Sequence, residues 1–157
     1  MRLTFLILAA AVAVGVPALA MAAPAAPAAP VSADLSGFAI GGYDATAYFT
    51  HGRAVPGVPA FEYHWQGAVW RFASAEARDL FAADPKAYAP RFGGYCAWAV
   101  SQNYLAPGDP NIWRIVDGRL YLNFNARAKL LWEADLVNAI ARGNANWPRV
   151  LETADNR

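Results

Sequence analysis

Phe61-Glu62-Tyr63-His64-Trp65-Gln66-Gly67-Ala68-Val69-Trp70-Arg71-Phe72-Ala73-Ser74 is the stretch that decides the fold. Phe61, Tyr63 and Trp65 alternate with Glu62, His64 and Gln66, the period of a strand with one apolar and one polar face. Gln66-Gly67 supplies a turn, and Val69 to Ala73 returns as a second strand carrying Trp70 and Phe72. Ser74 is placed to cap a helix, with Glu76 favourably set in its first turn. Ala77, Leu80 and Phe81 are expected to form the buried stripe of that helix, which ends near Asp84-Pro85. A second hairpin follows downstream, where Trp113–Val116 and Leu120–Asn123 flank Asp117-Gly118. Asn125 then caps a helix expected to run to about Ala141, with Leu130, Ala134, Val137 and Ala141 on one apolar stripe. Between the hairpins Ala97 to Gln102 has room for a short helix, and no internal repeat is visible. The expected fold is a small α+β single domain of two β-hairpins and two to three helices.

The ends of the chain read differently. Arg2 followed by the apolar run Leu3 to Val16 and by Ala18-Leu19-Ala20 has the layout of a secretory leader over residues 1–20. The run is short for a membrane span, so no stable anchor is expected once the leader is removed. The Ala/Pro-rich segment 21–33 reads as an extended spacer, because proline cannot join a helix ladder and alanine alone builds no core. Residues 34–151 are expected as the folded domain and 152–157 as a tail. The whole chain has 13 basic and 12 acidic side chains, and loss of Arg2 brings the net charge near zero. No basic patch emerges, which argues against a nucleic-acid partner. All 6 tryptophans and 7 tyrosines fall in the domain. They read as core in a chain without disulfides, or as the walls of an aromatic groove.

Cys96 is the only cysteine, in Arg91-Phe92-Gly93-Gly94-Tyr95-Cys96-Ala97-Trp98. A solitary thiol in an exported chain is a buried small hydrophobe, a reactive group, a metal ligand or an intermolecular bridge. Tyr95 and Trp98 can shield it or wall a pocket around it. A helix beginning at Ala97 would place Cys96 at its N-terminus, where the dipole favours a thiolate, and Arg91 is near in sequence. His64 stands on the polar face of its strand, either merely exposed or meeting Cys96 across the fold. His51, in a loop rich in glycine and proline, reads as exposed.

Gly42-Tyr43-Asp44, Trp70-Arg71-Phe72-Ala73-Ser74, Leu80-Phe81 with Asp84-Pro85, Gly93-Gly94-Tyr95-Cys96-Ala97, Asp117-Gly118-Arg119-Leu120-Tyr121-Leu122-Asn123 and Asn146-Trp147-Pro148 together resemble the YHS domain. The likeness is to exported bacterial YHS-domain proteins and runs over about residues 37–151. It implies a metal-binding module, often linked with copper. It also implies a redox or soft-metal role for Cys96, since the matching position is selenocysteine in some members. Shorter family members carry cysteines where this chain has Gly42-Tyr43-Asp44, Ala73 and Ala77, which removes those ligands here.

The resulting expectation is a periplasmic or secreted binding or sensing module working through Cys96, as a copper, zinc or thiol-redox site. Cys96 and His64 are the candidate metal ligands, Asp44 a third by family position, and Tyr43, Tyr95 and Trp98 the remaining neighbours. The alternatives are a single-thiol redox enzyme and a non-catalytic protein-interaction domain. Dithiol chemistry is excluded by the cysteine count, and no recognised motif supports a cysteine hydrolase. A non-enzymatic role is favoured.

Overall fold

A computed structural model describes residues 28–153, so the expected leader, most of the spacer and residues 154–157 lie outside it. Both hairpins form as the alternation and turn signals require. β1 (Val58–Trp65) pairs antiparallel with β2 (Ala68–Phe72), and β3 (Asp109–Val116) pairs antiparallel with β4 (Arg119–Asn123). Each turn has two residues, Gln66-Gly67 and Asp117-Gly118, and all four have positive φ, the geometry that suits the twist of a hairpin. Among the described residues seven short α-helices accompany them, more than the two or three expected: α1 (Ala47–Thr50), α2 (Ala75–Ala83), α3 (Pro85–Tyr88), α4 (Ala97–Ser101), α5 (Ala126–Ala134), α6 (Leu136–Asn146) and α7 (Val150–Thr153). The expected α+β class is the one observed.

The element order corrects the reading that no repeat exists. β1, β2 and α2 recur as β3, β4 and α5 at a constant spacing of 51 residues (58 to 109, 68 to 119, 75 to 126). The details recur as well. Gly41-Gly42 and Gly93-Gly94 all have positive φ ahead of α1 and α4. Tyr43 bridges Pro56 as Tyr95 bridges Pro107. The ladder shifts register after Val58 in one hairpin and after Asp109 in the other. Ser74 Oγ accepts the Ala77 N–H at 3.2 Å, and Asn125 Oδ1 accepts the Ala128 N–H at 2.8 Å. A Cβ at Gly57 would stand 2.6 Å from Arg71 Cβ, and one at Gly108 would stand 2.6 Å from Leu122 Cβ, so both copies need glycine where the loop crosses its hairpin. The repeat is hidden in sequence because its core positions change residue type: Trp70 for Tyr121, Phe72 for Asn123, Phe81 for Trp132.

The copies share one strand. Leu120 and Leu122 of β4 belong to the core built by the first hairpin with Tyr48, Trp70, Phe72 and Phe81. Tyr121, on the other face of β4, belongs to the second core with Phe92, Val100, Trp132 and Val150. The chain ahead of residue 34 is part of this packing. Val31 is buried, Ser32 N–H donates to Gly93 O at 2.9 Å, and Ala28 N–H donates to Leu151 O at 2.9 Å. The spacer therefore reaches the domain by residue 28.

Two helix faces differ from expectation. In α2, Phe81 is fully buried, but Leu80 is 39% exposed. The helix expected from Asn125 to Ala141 breaks at Asp135, whose φ of −137° and ψ of 46° are not helical, and continues as α6. Its buried stripe is Ala128, Trp132, Ala139 and Gly143, while Leu130 and Val137 are 67% and 80% exposed and Ala134 and Ala141 also face outward. The stripe has the expected helical period with the opposite phase. One large indole and small residues admit close packing against Tyr121 and Phe92, which a row of aliphatics would obstruct.

Trp132→Ala is expected to cost about 3–5 kcal/mol in urea unfolding, whereas Leu130→Ala should stay within about 0.5 kcal/mol of wild type. Equal losses would restore the aliphatic stripe.

Candidate functional site

Cys96 is the residue immediately before α4. Its backbone N–H donates to Ala106 O at 2.8 Å, and its O accepts the Val100 N–H at 3.0 Å. It also forms a parallel bridge with Leu122 of β4. The side chain is 1% exposed and packs with Ala99, Ala128, Trp98 and Ala106. Sγ lies 3.7 Å from Asn123 Oδ1, within reach of a thiol donating to an amide oxygen. The same oxygen accepts the Trp98 backbone N–H at 3.1 Å, while Asn123 Nδ2 has no hydrogen-bond partner in the protein although it is buried. Asn123 thus pins the start of α4 to the end of β4. The sequence placed Asn123 only at the end of the returning strand of the second hairpin and not among the candidate site residues.

Cys96 is also at the floor of a pocket of about 350 Å³. Trp98, Tyr104, Ala106, Phe124 and Leu131 supply most of its lining, with Asn125 and Arg127 as the polar contributors. Tyr104, Phe124 and Leu131 are themselves 39%, 52% and 43% exposed, so the mouth is apolar and open to solvent.

Of the other residues singled out in the sequence, Trp98 alone lines this pocket. Asp44 is the counterpart of Cys96 in the first copy, and it is a structural tether. Its Oδ1 accepts the Thr46 N–H at 2.9 Å and the Thr46 hydroxyl at 2.7 Å, and its Oδ2 accepts the Ala73 N–H at 3.0 Å. In the second copy Asn123 has taken over that duty toward Trp98, the counterpart of Thr46. Cys96 is thereby relieved of a tethering role. Tyr43 packs against the first core. Tyr95 donates its hydroxyl to Ala29 O at 2.9 Å, and burial pushes its phenol above the ordinary range. His64 is exposed on β1 opposite Val69, in the first hairpin, and none of the residues around Cys96 comes from that hairpin. His51 is exposed, in hydrogen-bond contact with Thr50 Oγ1 at 2.8 Å.

These placements decide what the thiol can do. Copper(I) and zinc sites need further thiolate or imidazole donors, and among the described residues the hydrogen-bond partner of Sγ is the Asn123 amide oxygen. Among the described residues no group of three or more His, Cys, Asp or Glu could hold a metal ion. The donor set at Cys96 therefore does not fit copper or zinc. Nucleophilic catalysis needs a base within hydrogen-bond reach, and no imidazole or carboxylate lines the pocket. Among the described residues no helix is long and apolar enough to cross a membrane. No protein-family model, no curated protein and no solved structure matches this chain.

Asp44→Ala would strand the buried Thr46 N–H and hydroxyl and the part-buried Ala73 N–H, so a loss of about 2–4 kcal/mol is expected in denaturant unfolding. A wild-type midpoint in that variant would mean Asp44 is free for another role.

Proposed function

We propose that this chain is an exported binding or sensing module of the YHS-domain kind, periplasmic or secreted, whose responsive element is the Cys96 thiol beneath its apolar pocket. The observation that carries the reading is the pairing of opposites at Cys96. Cys96 is 1% exposed, yet the cavity it helps to line is roomy, apolar and open. A small apolar ligand entering between Trp98, Phe124 and Leu131 reaches the thiol without unfolding the domain. Charged and bulky thiols are held off by the apolar mouth, which supports reversible occupancy or adduct formation in an oxidising compartment. Neither a base nor a second thiol is present for turnover, which supports binding over catalysis. The metal half of the family expectation has no support in the donor set, so the thiol carries the reading alone.

The test is the rate of thiol modification of the folded domain. N-ethylmaleimide is expected to label Cys96 at least about tenfold faster, relative to free cysteine, than the anionic iodoacetate. Leu131→Arg, a change at the exposed mouth, should slow the maleimide reaction. A thiol that stays silent to both reagents until the protein unfolds would return Cys96 to the core and leave an interaction domain.

A further inference from the structure

A second cavity, of about 440 Å³, shares no lining residue with the thiol pocket. Two partly buried indoles stand in it, Trp65 from the tip of the first hairpin and Trp147 from the segment after α6. Three cations join them: Lys86 in α3, Arg91 beside the glycine pair, and Arg119 at the start of β4. No carboxylate lines the cavity.

Six of the eleven described Lys and Arg side chains make no ion pair, and three of the six line this cavity together. Arg71, Arg78, Arg114, Lys129 and Arg142 all make ion pairs with Asp or Glu. Lys86, Arg91 and Arg119 make none among the described residues. Arg91 donates to Asn144 Oδ1 at 3.1 Å, and Arg119 reaches the Lys86 backbone oxygen at 3.5 Å. Asp84 and Asp117 line an adjoining depression with Lys86 and Arg119, and Arg91 is not part of that depression. Like charges lining one cavity repel one another, and an anion within it relieves that repulsion. Guanidinium groups are the donors best matched to a carboxylate, through paired N–H bonds. The indoles offer flat apolar faces for a ring attached to that anion.

We infer that the cavity between Trp65 and Trp147 is a binding site for a small aromatic anion of the aryl carboxylate class, held by Arg91, Arg119 and Lys86. The site draws on both copies of the repeat, since Trp65 belongs to the first and Arg119 to the second. It does not rest on the reading of Cys96.

Calorimetric titration of the domain spanning the described residues with naphthoate, its neutral amide and inorganic phosphate tests the inference. Naphthoate should bind saturably below about 1 mM, with naphthamide and phosphate each at least about fivefold weaker. Arg119→Gln and Lys86→Gln remove exposed side chains, so both variants should keep the wild-type Tm and each lose about threefold or more in naphthoate affinity. Raising salt on the unaltered protein should weaken naphthoate and leave naphthamide unchanged, a readout that needs no variant. Naphthamide or phosphate binding as tightly as naphthoate would overturn the inference. So would unaltered affinity in both variants, or no saturable binding.

Discussion

Strand β4 is the constraint on which the rest depends. It is five residues long and buried on both faces, with Leu120 and Leu122 in one core and Tyr121 in the other. Two-stranded hairpins are marginal in isolation and need a packed face to persist. Here neither hairpin lies over a broad sheet. The second hairpin instead lends its returning strand to both halves, and the halves are tied through it. Its two ends open on the two cavities. Arg119, at its start, lines the cationic cavity, and Asn123, at its end, holds the thiol and α4 in place.

The repeat explains how a thiol came to stand where it does. In the first copy the slot before the short helix holds Asp44, whose carboxylate satisfies two backbone N–H groups and the Thr46 hydroxyl. In the second copy the strand-end position occupied by Phe72 in the first becomes Asn123, and its amide oxygen assumes the contact to the helix start. That exchange frees the slot for a small polarisable side chain that need not tether a backbone N–H. Ala73 of the first copy becomes Phe124 of the second, which adds an apolar wall to the pocket. The two copies thus share a backbone and differ in what the shared slot is free to do.

Much of the architecture was legible in the chain, and the reasons are local. Gln66-Gly67 and Asp117-Gly118 sit between alternating apolar runs, and both form two-residue turns. Ser74 and Asn125 cap helices because their side-chain oxygens meet the N–H three residues on. The apolar stripe of α5 and α6 was misread because Leu130 and Val137 carry the aliphatic mass, whereas the buried contacts are made by Trp132 and small residues. The repeat escaped because most of its identities are glycines, prolines and alanines, which also recur for turn and helix reasons. Cys96 and Trp98 were found together because they are neighbours in sequence. Tyr104, Phe124, Arg127 and Leu131 reach the same pocket only through the packing of α5 against α4. Asp44 and His64 looked like ligands by residue type, and no pattern in the chain shows that the fold separates them from the thiol.

The claim that β4 couples the two halves has a direct test in native-state hydrogen exchange under increasing urea. The amides of Tyr121 and Leu122 should exchange only through global unfolding, with opening free energies equal to that of the whole domain. Probes on Trp70 and Trp132, one in each core, should then report a single shared midpoint. Exchange of the β4 amides through a smaller opening, or two midpoints, would mean that the halves are separate units and that β4 is not their common strand.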